Sequence, residues 1–311
     1  MLFAYVRMYI ITKTIDKMYI YLKGVARMKK MLKWTLALLA MVLLGACGSS
    51  NESTGKSASN TSDSQTKTAG KLATIQEKGV IKVGTSADFP PFEFHTLVAG
   101  KDQIVGADVD MVNAIAEELG VKVEWSDTDF DTMLASLQAG NVDIGVSGIS
   151  ATDERKENML FTDNYYVPKQ NVVIKKTDMD KYTKIADFKG KKVGAQKGSI
   201  QEGVVQAQFT DSQLVAIAKI PSLVMEVKSG SLDALVLEDK IAASYVAQNE
   251  DLVIADVEVT STDDESYSIA LPKGSEDLQE ELNSILKKLI EAGKIAEFVE
   301  KNEALANEKA K

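Results

Sequence analysis

From Lys71 onward the chain alternates short apolar strands with amphipathic helices, and this rhythm restricts the fold before any motif is read. A strand over residues 80–84 (V-I-K-V-G) passes through a loop (85–94) towards a helix over 109–119. Val112, Ile115, Ala116 and Leu119 share one face of that helix, and Gly120 stops it. A strand at 121–125, a helix at 130–138 closed by Gly140, and a strand at 142–146 follow. Strands separated by helices predict an α/β fold of mainly parallel sheets with helices on their faces. The plan then repeats: strand 192–195, helix 200–209, strand 213–218, and helix 222–228 stopped near Gly230. The corners L-Q-A-G-N-V-D-I-G-V (137–146) and V-K-S-G-S-L-D-A-L-V (227–236) share one pattern of helix end, Gly, Asp and apolar strand. Two lobes of one architecture are expected.

A strand at 267–271 precedes helices from 276 to about 301, whose Leu278, Leu282, Ile285, Leu286 and Leu289 form a core-facing stripe. If these elements return to the first lobe, the chain crosses between lobes twice, at 167–171 and 261–266. Lobe 1 is then 71–167 plus 266–311, and lobe 2 is 168–265. Two connecting strands make a hinge, and the cleft between the lobes is the expected ligand site.

The front of the chain reads differently. Met28-Lys29-Lys30-Met31-Leu32-Lys33 is a basic segment, and residues 34–44 are apolar but too few for an ordinary membrane span. They end in Leu44-Gly45-Ala46-Cys47, and Cys47 is the only cysteine in the chain. Small residues before a lone Cys resemble the lipobox of bacterial lipoproteins, which implies a signal peptide at 28–46, cleavage before Cys47 and a diacylglyceryl group on its sulfur. Residues 1–27 lie upstream of that signal and are most simply a mis-assigned start. Residues 48–70 are Ser, Thr, Asn, Gly and Lys without apolar periodicity, a tether of roughly 25–30 Å mean span.

Eight of the 36 basic residues but one of the 45 acidic ones precede Cys47, so the remainder carries a net charge of −16. Nucleic-acid binding is not expected of such a surface. One cysteine excludes an internal disulfide, and a lone His95 argues against a His-based metal site or a Ser-His or Cys-His pair. No G-x-x-x-x-G-K-[ST] loop is present, so the chain is not itself an ATPase.

One segment carries the ligand chemistry. The strand at 142–146 ends in Ser147-Gly148-Ile149-Ser150, and helix-start residues follow, with Ser150 and Thr152 as candidate N-caps before Asp153 and Glu154. Arg155 then sits near a helix N-terminus beside hydroxyls. That setting suits a small carboxylate, gripped by guanidinium and backbone N–H groups together.

The segments G-T-S-A-D-F-P-P-F-E-F (84–94), G-A-D-V-D-M (106–111), S-G-I-S-A-T-D-E-R (147–155) and F-T-D-N-Y-Y (161–166) occur in this order. From residue 71 to the C-terminus the chain thereby resembles the polar amino-acid-binding proteins of bacterial ABC transporters, in their lipid-anchored Gram-positive version. The resemblance implies a type II, two-lobe periplasmic-binding-protein-like fold and a monomeric binding protein without cofactor or catalytic residues, anchored on the extracellular face of the cell membrane. It also implies an ABC permease with a separate ATPase as partners. Arg155 and Ser150 would hold the ligand carboxylate, with the Gly198-Ser199-Ile200 turn closing on it from lobe 2. Gly148 and Ser147 would accept from the ammonium, and its acidic partner would be Glu238, with Asp239 the alternative one residue later. Phe89 and Phe130 would sandwich the side chain, and Asp88 could add a charge at the slot mouth. Such a slot favours arginine, lysine, histidine or glutamine. Tyr165 and Tyr166 fit hinge packing. The same fold also serves cyclohexadienyl-dehydratase-like enzymes and sensory or adhesive lipoproteins, which are the competing expectations.

Overall fold

The computed structural model describes residues 70–262 and 265–308. The segments expected to be an upstream extension, a signal peptide and a tether, with Cys47, lie outside the described residues. No helix among the described residues is long and apolar enough to cross a membrane.

The order of elements in the first half is α1 (Lys71–Lys78), β1 (Val80–Thr85), β2 (Asp88–Phe89), β3 (Glu93–Val98), β4 (Lys101–Val105), α2 (Ala107–Leu119), β5 (Lys122–Asp127), α3 (Phe130–Gln138), β6 (Ile144–Gly145), α4 (Asp153–Asn158) and β7 (Met159–Phe161). The second half runs β8 (Gln170–Lys175), β9 (Lys192–Gln196), α5 (Ile200–Gln208), β10 (Gln213–Ile217), α6 (Ile220–Ser229), β11 (Ala234–Glu238), α7 (Asp239–Ala247) and β12 (Leu252–Ile254). The chain closes with β13 (Ala270–Pro272), α8 (Glu276–Glu291) and α9 (Lys294–Glu308).

Two five-stranded sheets result, ordered β5-β1-β6-β13-β7 and β10-β9-β11-β8-β12. In each, four strands run in one direction and one runs against them: β13 between β6 and β7, and β8 between β11 and β12. The antiparallel members are where the chain leaves and returns. It departs the first sheet after β7 and comes back to it at β13, so the C-terminal helices belong with the N-terminal lobe. The two crossing segments pair through Tyr166 and Tyr267, with Tyr267 N–H donating to the Tyr166 carbonyl (2.8 Å) and Tyr165 N–H to the Tyr267 carbonyl (2.9 Å). Tyr267 is fully buried, and Phe92, Tyr165 and Tyr166 pack on its ring at centroid distances of 5.1, 6.1 and 5.3 Å.

The loop expected at 85–94 is more ordered than its two prolines suggest. Asp88 and Phe89 pair with Phe94 and Glu93, and β3 and β4 form a hairpin, so a three-stranded sheet stands beside lobe 1. On α8, Leu278, Leu282, Ile285 and Leu286 are buried as the stripe implies.

Candidate functional site

The strand β2, the ends of β6, β9 and β11 and the starts of α3, α4 and α5 meet at one place. There they enclose a small cavity of about 10 Å³ lined by Phe89, Phe130, Ser147, Gly148, Ser150, Arg155, Gln196, Ser199, Ile200, Gln201 and Glu238. Nine of the ten ligand-site residues named from the sequence therefore meet here. Gly198 stands just behind the cavity wall. A larger groove of about 560 Å³ opens on the other side of Arg155 and is shared by Gly198, Ser199 and Ile200, with Glu154 and Glu202 among its lining residues.

Arg155 is placed by its own helix start. Thr152 caps α4, its hydroxyl accepting from the Arg155 N–H at 3.3 Å. The guanidinium then spans both lobes, donating to the Ser150 carbonyl (2.9 Å) and to the Gly198 carbonyl of lobe 2 (3.0 Å). It also lies 5.5 Å from the centroid of Phe130, so this ring backs the guanidinium by a cation–π contact. Burial pulls the Arg155 pKa down to about 10, against the opposing pull of Glu154 and Glu238, which leaves it charged at neutral pH.

Glu238 ends β11 on the opposite wall and is buried. Its Oε1 accepts from Gln201 Nε2 at 2.6 Å, while Oε2 has no hydrogen-bond partner among the described residues. Burial raises its pKa to about 7, the backbone N–H and Gln201 hydrogen bonds working against that, and Glu265 and Asp239 adding to it. Asp239, the alternative, begins α7 and receives the Lys169 N–H at 3.4 Å; it does not line the cavity.

Gly148 forms the floor at φ +54, where a Cβ would stand 2.7 Å from the Phe89 ring. Only glycine combines that backbone angle with so close an aromatic wall. Ser147 is tied down beneath, donating to Glu93 Oε1 (2.6 Å) and accepting from the Ser86 N–H (3.2 Å). Asp108 accepts from the Tyr165 hydroxyl at 2.7 Å, joining this buried acidic layer to the hinge. Ser150 spends its hydroxyl on the Glu265 carbonyl (3.1 Å).

In the lobe 2 turn, Gly198 N–H donates to Glu202 Oε1 (2.5 Å) and Ser199 N–H to the Gln196 carbonyl (3.1 Å). Two of the three turn donors are thus held internally, and Gly198 meets Arg155 through its carbonyl instead. Asp88 also departs from expectation: it is buried and bonded to lobe 2 rather than sitting at a slot mouth. Gln196 and Gln201 were not singled out from the sequence. Their only signal is position, one closing β9 and the other opening α5 on either side of the turn.

The cleft of this two-lobed α/β fold opposes a guanidinium to a buried carboxylate across an aromatic wall. The chain belongs to the bacterial extracellular solute-binding proteins, family 3, whose model it matches over residues 81–302. It is 34% identical to the arginine-binding extracellular protein ArtP of Bacillus subtilis over 276 residues, covering 87% of this chain and 98% of that protein. A probable histidine-binding protein of Campylobacter jejuni is 31% identical over 218 residues, covering 70% and 81% respectively. The structure of an amino acid ABC transporter substrate-binding protein from Streptococcus pneumoniae bound to L-arginine superimposes with a TM-score of 0.74. It shares 39% sequence identity and covers 76% of this chain and 98% of that one. The chain is accordingly an extracellular solute-binding protein of the kind that serves ABC importers, with the type II two-lobe fold.

Proposed function

We propose that this protein captures a basic or amide-bearing amino acid, arginine foremost, and presents it to an ABC permease while tethered to the cell membrane through Cys47. The carrying observation is the placement of Arg155 and Glu238 on opposite walls of one small cavity. Arg155, seconded by the Ser150 backbone N–H and by Ile200 at the α5 N-terminus, takes the carboxylate. Glu238 and the Gly148 carbonyl take the ammonium, and Phe89, Phe130, Gln196 and Gln201 surround the side chain. The arginine-binding relative and the arginine-bound structure support the choice of ligand. The Leu44-Gly45-Ala46-Cys47 sequence supports the anchor. In this reading lobe 1 comprises 71–167 and 266–311, and lobe 2 comprises 168–265.

A thermal-melting screen of the purified protein against the twenty amino acids, ornithine and cystine tests the reading. A ligand that binds only the folded state adds about 2.7 kcal/mol at a hundredfold excess over its dissociation constant. Arginine is expected to give the largest shift, and Arg155→Ala to abolish it. A flat screen would remove the amino-acid reading. Labelling with radioactive palmitate, lost in Cys47→Ser, reads the anchor separately.

A further inference from the structure

Asp88 belongs to lobe 1, yet lobe 2 claims most of its polar capacity. Its Oδ2 accepts from the Ile220 N–H in the first turn of α6 (3.0 Å), and its Oδ1 lies 3.4 Å from Gln196 Nε2. Its carbonyl accepts from the Tyr245 hydroxyl of α7 at 2.7 Å. Among the described residues of lobe 1 the side chain has one hydrogen-bond partner, the Ser86 hydroxyl at 3.2 Å. The residue before Ile220 is gripped as well: Lys219 Nζ donates to the Thr128 carbonyl (3.2 Å) and stands 3.4 Å from Asp129. Two adjacent residues of lobe 2 are therefore held by two separate segments of lobe 1.

Burying a carboxylate is costly unless the group is well paired. Burial does push the Asp88 carboxyl upwards, against the pull of the Lys219 charge. Packing within lobe 1 alone would be served as well by an apolar side chain. What the carboxylate adds is a charge-assisted bond to backbone N–H across the lobe boundary, among the stronger hydrogen bonds available. The position matters too, since Asp88 is joined in sequence to Phe89 and in space to Gln196, both of which line the cavity. Asp88 itself does not line it.

We infer that Asp88, seated on the Lys219–Ile220 corner, is a closure latch: a positioning residue that holds the lobes together through protein groups and so sets how long a bound amino acid is retained, not which one. This rests on the binding function proposed above. A latch that never touches the ligand changes the fraction of closed protein, and apparent affinity scales with that fraction equally for every ligand. Its effect belongs in the dissociation rate.

The test uses the full-length protein in detergent, with spin labels on Leu97→Cys and Met225→Cys, exposed sites on the two lobes, and Cys47→Ser to avoid a third label. Asp88→Ala is expected to move the ligand-free label distances towards the longer, open population. It is also expected to raise the dissociation rates of L-arginine and L-histidine by one common factor of about ten, or 1.4 kcal/mol, with association rates unchanged within about twofold. Asp88→Asn keeps an acceptor for Ile220 and falls between. Lys219→Met, which removes the neighbouring grip and the charge that helps to keep Asp88 ionised but leaves the Asp88–Ile220 bond in place, moves both readouts the same way by less. Unchanged distances and dissociation rates in Asp88→Ala of normal melting temperature overturn the latch, as does an effect on one ligand alone. Should Asp88→Ala not fold, an unchanged Lys219→Met overturns it. Should no amino acid bind even the parent protein, the proposed function fails while the ligand-free distances still decide the latch.

Discussion

At the scale of single residues, the site is a pair of opposed charges held by unequal environments. Arg155 stays charged across the neutral range, whereas Glu238 titrates within it at about 7. A ligand ammonium pairs only with the ionised form. Affinity should therefore be greatest above pH 7 and weaken as pH falls, approaching tenfold per unit below it. Glu238→Gln should bind weakly and show a flat profile; a parent affinity constant from pH 8 to 5 by calorimetry would remove Glu238 from the ammonium site. The linkage to stability has the opposite sense. A carboxyl whose folded-state pKa lies above its unfolded value contributes stability that is complete below about pH 4.5 and disappears as pH rises through 7. Ligand-free Glu238→Gln should then outlast the parent protein at pH 8 by about 2–3 kcal/mol and lose that advantage near pH 4. Gly148→Ala should cost about 1–2 kcal/mol for the left-handed backbone alone. Because the new methyl meets Phe89, it should also lower affinity, measurable as a smaller arginine-induced melting shift.

Between elements, the decisive structure is the hinge, where Tyr166 and Tyr267 pair and four aromatic rings surround a fifth. The Tyr267 hydroxyl is buried without a hydrogen-bond partner among the described residues, and such a group is a net cost. Tyr267→Phe should thus be neutral or slightly stabilising by chemical denaturation. Tyr267→Ala, which empties the ring's place, should lose about 3–5 kcal/mol. A marked loss in Tyr267→Phe would mean that the hydroxyl has an essential partner. The same level shows what the sequence discloses and what it conceals. The βα rhythm and the two Gly-x-x-Asp corners are local patterns, and they made the lobes legible. Arg155 and Gly148 were legible because a strand end, a small-residue loop and a helix start follow one another directly. The β2-β3-β4 sheet was not, since β2 is two residues long and stands beside Pro90 and Pro91, which suggest a loop. Nor were the partners of Asp88: a lone aspartate in a loop looks solvated until a helix end from 132 residues away is folded against it. Gln196 and Gln201 escaped for a similar reason, having no partner pattern within the chain segment that carries them.

For the molecule as a whole, charge sets how a ligand arrives. The chain after Cys47 carries a net −16, and Glu154 and Glu202 line the groove that leads to Arg155. A negative field concentrates cations at an opening of this kind and leaves neutral zwitterions unaffected. That steering acts across solvent, so salt removes it: the screening length is about 30 Å at 0.01 M and about 3 Å at 1 M. The contacts inside the closed cavity are short and shielded and respond far less. Stopped-flow association of arginine should therefore slow by roughly 3- to 10-fold between 10 mM and 500 mM salt, with its dissociation rate nearly constant. Glutamine, of similar length but without the side-chain charge, should associate at a rate that salt barely alters. Equal salt slopes for the two ligands would show that the acidic surface plays no part in selecting a cationic amino acid, and that any preference for arginine is made wholly within the cavity.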